Sequence, residues 1–326
     1  MIKFLKHIAF GFGIFVLINL AIAFKYEYPA YQAVKNKTHK NYLKWNSIHT
    51  NKNAYDLIVL GSSRSYTGFN PKILDRELNL KSFNMGTSAQ DIAESYYSLV
   101  EILEYQNPEY IVLETYLDLS DNNHDFYQIF SNASFFNSSK NKFNLITKGY
   151  GSSGISNYLV PLMKFKNYIK QDVRALFSGK KPKPPQKTWY KGFYKDTVVV
   201  TDIEIKAYKP ISNFNNNPFN EERFNLYFNK IYQLTKAKGM TLITIRTPYP
   251  PTRLKLNANR DEEQFYKNYY KNFEDVYYHD LNNYKIEKFQ YSDYDFSDHH
   301  HVNYKGAKKI SLQLVDIIKT LNNTNN

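Results

Sequence analysis

The chain has 326 residues, a hydrophobic fraction of 42%, a formal net charge of +13 and no cysteine. This hydrophobic fraction excludes a wholly disordered chain, and the missing cysteines exclude disulfides, thiol catalysis and cysteine-ligated metals. The basic residues are scattered apart from a short run at 180–183, and no recognition helix, zinc finger or RNA-binding aromatic motif accompanies them. We therefore predict no nucleic-acid partner, whereas anionic lipid or an acidic polymer is compatible with the charge.

The N-terminus has the pattern of a membrane segment. Lys3, Lys6 and His7 precede an uncharged run at 8–24, which is 17 residues long and at the short end for a spanning helix. A secretory signal has the same pattern, and the sequence Ala-Ile-Ala at 21–23 offers a cleavage site. We predict a signal-anchor or signal peptide at 1–25 and favour the anchor. The lysines after the run do not support an exported soluble part, but the site chemistry below suits a periplasmic or extracellular location.

Residues 26–53 are polar and aromatic without a clear period, and we predict a stalk there. Strands and helices then alternate to the end of the chain. The predicted strands lie at 55–60, 81–85, 110–113, 241–245 and 276–279. The predicted helices lie at 71–78, at 88–105 with Ser88 as N-cap, and at 221–238, 260–272 and 304–321. This alternation indicates an α/β domain at 54–326 with a central parallel sheet and helices on both faces.

Regularity is lost between about 118 and 218, where Asn, Ser, Gly and aromatic residues are frequent and we expect some helix near 158–177. An irregular stretch of this length inside a compact domain is usually functional or a subdomain. We predict an insertion that covers the site. Its aromatic residues Trp189, Tyr190, Phe193 and Tyr194 would either stack on sugar rings or form a small local core.

Polar residues follow three of the predicted strands. They are Gly61-Ser62-Ser63, Asn84-Met85-Gly86 and Glu114-Thr115-Tyr116. Ligands of open α/β sheets bind beyond the carboxyl ends of the strands, so these clusters mark a candidate site. We predict Ser63 as a nucleophile on a tight turn that Gly61 permits, with backbone N–H groups such as that of Gly86 facing a developing oxyanion. Ser62 is the rival nucleophile.

An acid and a base stand together near the C-terminus, in Asp298-His299-His300-His301-Val302-Asn303. We predict His301 as the base for the serine and Asp298 as the carboxylate that orients the imidazole. The alternative is a zinc site made by His299 and His301 with Asp295 or Asp298. Because the sequence has no second cluster of comparable density, we predict neither metal nor cofactor.

These motifs resemble the GDSL/SGNH hydrolase superfamily over roughly 54–117 and 239–322. The motifs are Gly61-x-Ser63, Asn84-x-Gly86 and Asp298-x-x-His301-Val-Asn303 with Gly306. The resemblance implies a flavodoxin-like three-layer sandwich, a Ser63–His301–Asp298 triad and oxyanion binding by the N–H groups of Ser63 and Gly86.

The third block departs from the superfamily pattern. That block usually carries Gly-x-Asn, whose asparagine completes the oxyanion hole, whereas this chain has Leu113-Glu114-Thr115-Tyr116, and Asn122 and Asn123 are out of register. We expect Glu114 to pair with Arg64 or Arg246, and Tyr116 and Asn303 to contact substrate or support the site. The departure makes the chain similar to alginate-type O-acetyltransferases, which are membrane-anchored and often act with a multipass membrane O-acyltransferase.

The leading hypothesis is an envelope enzyme in which Ser63 attacks an acyl ester, expected to be an acetyl ester of a cell-surface or extracellular glycan. Water as acceptor makes an esterase and a glycan hydroxyl makes an O-acyltransferase; the anchor and the aromatic insertion favour transfer. One alternative is a non-catalytic glycan-binding or assembly protein, whose affinity would survive loss of Ser63 and His301. A metal-dependent hydrolase, sensitive to a chelator and restored by zinc, is the other.

Overall fold

The structure is a computed structural model that describes residues 1–115, 124–178, 189–209, 220–256, 261–283 and 289–324. It divides into two compact units, unit 1 with residues 1–46 and 125–186, and unit 2 with residues 47–124 and 187–326. The helices are α1 Ile2–Lys35, α2 Lys40–Thr50, α3 Ser63–Gly68, α4 Pro71–Leu78, α5 Ile92–Ile102, α6 Phe126–Ala133, α7 Ser139–Asn144, α8 Tyr150–Leu159, α9 Pro161–Lys164, α10 Lys166–Ser178, α11 Asp202–Lys206, α12 Glu221–Ala237, α13 Pro251–Leu256, α14 Asp261–Tyr270 and α15 Tyr304–Thr324. The strands are β1 Leu57–Leu60, β2 Ser82–Asn84, β3 Tyr110–Glu114, β4 Trp189–Tyr190, β5 Phe193–Tyr194, β6 Thr241–Arg246 and β7 Val276–Asp280.

Unit 2 is built on a five-stranded parallel sheet with the order β2-β1-β3-β6-β7. This is the flavodoxin-like order, and it confirms the predicted α/β fold with a central parallel sheet. The chain reverses its direction of winding between β1 and β3, so the crevice for ligands is expected beyond the carboxyl ends of these two strands. Ser63 and Glu114 both lie at that place.

Strands β1, β2 and β3 are wholly buried, which explains why they are continuous apolar runs rather than alternating ones. Leu57 and Val59 share one core cluster with α15, whose buried side chains include Ile310 and Leu314. By strand alternation Ile58 and Leu60 point to the other face, on the side where α5 and α12 pack together. Helices thus cover both faces of the sheet.

The helix starts follow ordinary capping, with one correction. Asn70 caps α4, and Pro71 occupies its first position, where the missing N–H costs nothing. The predicted N-cap of the next helix, Ser88, is wrong: α5 begins at Ile92, and the Asp91 side chain accepts a hydrogen bond from Glu94 N. The Ser88–Ala89 segment instead forms a turn in which Ala89 has a φ of 57°.

Unit 1 contains the N-terminal segment. The described chain has one helix long and apolar enough to cross a membrane by length and composition, α1, and only 6% of its apolar window is buried. The helix continues beyond the uncharged run to Lys35, and α2 follows, so most of the predicted stalk is helical. The helix was not predicted because the hydrophobic periodicity of this segment is weak. Aromatic contacts within unit 1, such as the stacking of Tyr26 on Phe165, stabilise it instead.

The predicted insertion at about 118–218 is divided between the units. Residues 125–178 form the helices α6 to α10 of unit 1, and the expected helix near 158–177 lies within α8, α9 and α10. Residues 189–209 belong to unit 2 and form the β4–β5 hairpin and α11. Tyr116, Asn122, Asn123 and the basic run at 180–183 lie outside the described residues.

Candidate active site

The turn after β1 places two adjacent serines in different environments. Gly61 has a φ of 135°, and a Cβ atom there would lie 2.6 Å from Glu114 Cβ, so only glycine fits this turn. Ser62 follows as the N-cap of α3, and its Oγ accepts a hydrogen bond from Arg64 N. Ser63 is the first residue of the helix, and its own N–H has no acceptor within that helix.

Ser62 is part of the protein interior. Its side chain is fully buried, and both its N–H and its hydroxyl donate to Glu114 Oε2, over 2.9 Å and 2.7 Å. Ser63 is partly exposed, and its Oγ lies 2.7 Å from His301 Nε2. Of the two candidate nucleophiles, Ser63 is the one that both solvent and a base can reach.

His301 also contacts Asp298. Its Nδ1 lies 2.7 Å from Asp298 Oδ2, and Asp298 Oδ1 accepts hydrogen bonds from the backbone N–H groups of His300 and His301, each over 2.8 Å. Burial would raise the pKa of Asp298, but the hydrogen bond from His301 and the charges of the neighbouring imidazoles outweigh it and hold the pKa well below its usual range. An ionised carboxylate only accepts, so Nδ1 carries the proton and Nε2 is left to accept from the Ser63 hydroxyl.

The loop that carries Asp298 and His301 is held by its neighbours. Phe296 and Val302 form an antiparallel bridge that closes the loop. Asn303 is fully buried, and its Nδ2 donates to the carbonyl oxygens of Tyr294 and Phe296, while its Oδ1 accepts from Lys305 N at the start of α15. Asn303 therefore supports the site from behind and does not face a substrate.

Glu114 takes a role that the sequence did not indicate. Its Oε2 accepts from Ser62, and its Oε1 lies 3.3 Å from Thr247 Oγ1 at the end of β6. The expected pairing of Glu114 with Arg64 or Arg246 stays a prediction. Thr247 also belongs to this network; its position at a strand end was the signal that could have found it.

The two arginines have partners at the ends of the neighbouring strands. The Arg64 guanidinium donates to the carbonyl oxygens of Thr247 and Pro248 and lies 4.3 Å from the centre of the Tyr249 ring. Arg246 pairs with Asp280 on the neighbouring strand, with 2.8 Å between Nη1 and Oδ2. Both side chains are buried, so they brace the carboxyl edge of the sheet.

Gly86 lies beside the same turn. A Cβ atom there would be 1.8 Å from Ser65 Oγ, so a side chain would push α3 away from the β2 end. The Gly86 N–H donates to Asn84 Oδ1 over 3.1 Å. It would bind an oxyanion by sharing this proton between two acceptors, whereas the N–H of Ser63 is not used by the helix.

The histidine run offers a second arrangement of donor atoms. Those of Asp298, His300 and His301 lie within 4.8 Å of one another, close enough to hold a metal ion. This group shares Asp298 and His301 with the zinc ligands considered from the sequence, but His300 takes the place of His299. Asp295, the alternative carboxylate, pairs with Lys309 Nζ over 2.6 Å. His301 already contacts Ser63 and Asp298 through its two ring nitrogens, so a metal ion on His301 would compete with one of these contacts.

Aromatic side chains and a cavity adjoin the triad. Tyr66, one turn after Ser63 on α3, packs against Trp189 and Tyr194 of the β4–β5 hairpin, with ring centres 5.5 Å and 6.5 Å away. A cavity of about 510 Å³ borders Asp298. Its other lining residues are Glu204, Ala207, Tyr208, Lys209, Arg253 and His299. Tyr66, Tyr208 and Arg253 were not singled out in the sequence, because only the fold brings them to this place.

Comparison with known proteins gives distant likenesses. No protein-family model and no curated protein matches the chain. Among solved structures it is similar to a GDSL-like lipase from Bacteroides thetaiotaomicron, at 9% identity and a TM-score of 0.39, over 81% of this chain and 88% of that one. It is also similar to a family 3 carbohydrate esterase from Clostridium thermocellum, at 12% identity and a TM-score of 0.36, over 82% of this chain and 98% of that one. The protein is thus similar to solved GDSL-type lipases and carbohydrate esterases, the superfamily that its short motifs resemble.

Proposed function

We propose that the protein is a serine esterase or O-acyltransferase that works through Ser63, His301 and Asp298. The observation that carries the proposal is the unbroken hydrogen-bond chain from Ser63 Oγ through His301 to Asp298, with both links at 2.7 Å and the serine open to solvent. A serine hydroxyl is a weak nucleophile until a positioned base removes its proton, and this chain supplies that base.

In the first half-reaction Ser63 Oγ would attack the ester carbonyl carbon while His301 Nε2 takes the hydroxyl proton. Asp298 would stabilise the imidazolium, and the oxyanion would be bound by the N–H of Ser63, with Gly86 as a shared donor. His301 would then return the proton to the leaving alcohol, which leaves an acyl-Ser63. In the second half-reaction an acceptor hydroxyl, of water or of a glycan, would lose its proton to His301 and attack the acyl carbon. The bond between that carbon and Ser63 Oγ would then break, and His301 would return the proton to Ser63.

The substrate we propose is an acyl ester, expected to be an acetyl ester, of a cell-surface or extracellular glycan. Trp189, Tyr194 and Tyr66 support it, because partly exposed aromatic rings beside a serine suit the apolar faces of sugars. The apolar helix α1 supports an envelope location with a membrane anchor. A multipass membrane O-acyltransferase would be the partner if the acyl group is handed on, a point that rests on the sequence resemblance.

A fluorophosphonate probe tests the activated serine. The full-length protein in detergent should gain one adduct by intact mass, and Ser63→Ala should gain none. His301→Ala should label at least about 100-fold more slowly, because a positioned general base contributes 10²–10⁴ to such steps. Ser62→Ala removes the neighbouring hydroxyl and should still gain the adduct, although more slowly than the wild type, because Ser62 contacts Glu114 and caps α3.

Three results would point elsewhere. A folded protein without an adduct would contradict the mechanism, and glycan affinity that survives Ser63→Ala would then support the non-catalytic alternative. Labelling lost to a chelator and restored by zinc would support a metal-dependent hydrolase through Asp298, His300 and His301. An adduct on Ser62 would reverse the assignment of the nucleophile.

A further inference from the structure

A polar side chain lies inside the apolar part of α1. Asn19 is only 8% exposed, and its Oδ1 accepts a hydrogen bond from Leu162 N, in α9, over 2.9 Å. At a rise of 1.5 Å per residue, Asn19 lies about 9 Å along the helix axis before Lys25, the first charge after the uncharged run. Where α1 spans a bilayer, the backbone of Leu162 therefore lies at the depth of the acyl chains.

Helix α10 meets α1 at a single level. The Tyr26 hydroxyl donates to Asp172 Oδ2 over 2.7 Å, and the Tyr26 ring stacks on Phe165 at 4.9 Å between ring centres. Phe165 and Asp172 are seven residues apart, which is about 10 Å of helix, yet both contact the same residue of α1. The residue before α10 and a residue two turns into it thus converge on one level of α1, just after the apolar run, as expected for a helix that lies across α1 near a membrane surface.

Helices α8 to α10 expose large apolar side chains beside this crossing. We call them the apolar edge; they are Ile155, Leu159, Leu162, Met163, Val173 and Leu176. Leu159 is 70% exposed and Leu176 is 82% exposed, so the described part of unit 1 leaves most of both side chains uncovered. Side chains of this size cost free energy in water, which an apolar environment would remove.

Basic residues accompany the apolar edge. Lys166, Lys170 and Arg174 are exposed and recur every four residues, so they form one stripe along α10. Val173 and Leu176 lie on the adjacent side of the same helix. An apolar face bordered by lysine and arginine is the pattern of helices that lie at a membrane interface, with the apolar face about 5–10 Å below the headgroups.

We propose that the apolar edge of unit 1 inserts into the lipid leaflet that α1 enters, with the basic stripe against anionic headgroups. The proposal rests on the membrane anchoring put forward under Proposed function, and it is independent of the chemistry at Ser63. It gives unit 1 a second attachment, which sets both its height above the bilayer and its rotation about α1. A lone transmembrane helix would set neither.

Site-directed spin labelling tests this directly, because the chain has no native cysteine. Leu159→Cys and Leu176→Cys are labelled singly in the full-length protein, which is placed in nanodiscs that contain phosphatidylglycerol. Ile14→Cys, in the apolar run of α1, is the lipid reference. Ile203→Cys is the aqueous control, since Ile203 is an apolar residue of unit 2 that is 81% exposed, almost the same as Leu176.

We expect the labels at 159 and 176 to be relaxed by oxygen rather than by an aqueous nickel chelate, as at Ile14, and the label at 203 to show the reverse. Aqueous accessibility at either 159 or 176, with Ile14 in lipid, would overturn the inserted edge and leave the anchor intact. Aqueous accessibility at Ile14 would overturn the anchor itself. The fluorophosphonate adduct reports separately on the catalytic proposal and should persist in all four variants.

Discussion

At the scale of single residues, two adjacent serines differ in chemistry because of their neighbours. The Ser62 hydroxyl donates to Glu114 and accepts a hydrogen bond from Arg64 N at the start of α3. Ser63, one residue later on the helix, points to His301 instead. A helix turns about 100° per residue, so adjacent side chains at its start face different surroundings. We therefore expect the Glu114 carboxylate to position Ser63 indirectly, through its hydrogen bonds with Ser62.

Replacement of Glu114 tests this positioning role. Glu114→Ala should lower the free energy of unfolding by about 2–4 kcal/mol, because two buried donors of Ser62 lose their acceptor. Glu114→Gln keeps an acceptor of the same shape and should cost about 1 kcal/mol. Labelling of Ser63 by the fluorophosphonate should slow in the order wild type, Gln, Ala.

Urea titrations and labelling rates measure the two effects. Glu104→Ala, an exposed glutamate of the same unit, is the control and should change stability by less than about 0.5 kcal/mol. If Glu114→Ala is labelled at the wild-type rate, the contact between Glu114 and Ser62 does not position the nucleophile.

At the scale of elements, the site depends on the close approach of two strand ends. The turn after β1 passes so near β3 that a Cβ at Gly61 would meet Glu114 Cβ at 2.6 Å. Neither backbone can move away easily, because β1 and β3 are paired along their whole length between Leu57 and Leu60. The turn and the third strand therefore form one rigid support for Ser63.

Gly61→Ala should destabilise the protein by more than about 3 kcal/mol and abolish labelling, because a positive φ and a steric clash act together. Gly239→Ala is a matched control: Gly239 also has a positive φ, of 64°, but a Cβ there would meet no atom within 4 Å. Gly239→Ala should lower the free energy of unfolding by about 1 kcal/mol, the cost of a positive φ for a residue with a Cβ atom. Thermal or urea unfolding measures both variants. Equal losses of unfolding free energy would show that the contact between the turn and β3 is not tight enough to exclude a Cβ atom at position 61.

At the scale of the whole molecule, the apolar helix and the triad lie in different units. Unit 1 holds α1 and the apolar edge, and unit 2 holds the sheet and the triad. The chain passes between the units near residues 46, 124 and 186. The proposed membrane attachment and the proposed ester chemistry can therefore be tested by separate substitutions, as the labelling experiments require.

Histidine burial in unit 2 makes its stability depend on pH. Burial lowers the pKa of His279, and burial together with the charge of His301 lowers that of His300 to about 2. The unfolded chain takes up protons near the ordinary histidine pKa of about 6.5, whereas these histidines bind protons less readily in the folded chain, so the free energy of unfolding falls as the pH drops below about 6.5. The lowered pKa of Asp298 has the same sign but acts only below the ordinary aspartate pKa of about 4.

His279→Gln tests this account away from the triad. Between pH 7.5 and 5.5 the variant should lose less stability than the wild type, by up to about 1.4 kcal/mol for the one proton removed. Urea titrations at the two pH values measure the difference. Parallel losses in the two proteins would mean that His279 binds its proton equally well when folded.

Much of unit 2 was predictable from the sequence. The strands are continuous apolar runs because parallel strands are buried on both faces, and Asn70-Pro71 or Gly239 mark helix ends through local backbone chemistry. The helices of unit 1 were less visible, since α1 and α2 beyond residue 25 carry aromatic side chains without a helical period. The catalytic roles of Ser63, His301 and Asp298 remain predictions that the labelling experiment decides.

The sequence by itself determined the α/β class, the order of the elements in unit 2 and the residues to examine, because these depend on local periodicity and short motifs. Only the tertiary structure decided which serine faces the base, that Glu114 accepts two hydrogen bonds from Ser62, and that Asn303 supports the loop from behind. It alone placed Leu162 beside Asn19, 143 residues away in the chain. Such contacts join residues far apart in sequence, and the side chains alone do not specify which distant partner satisfies each hydrogen bond.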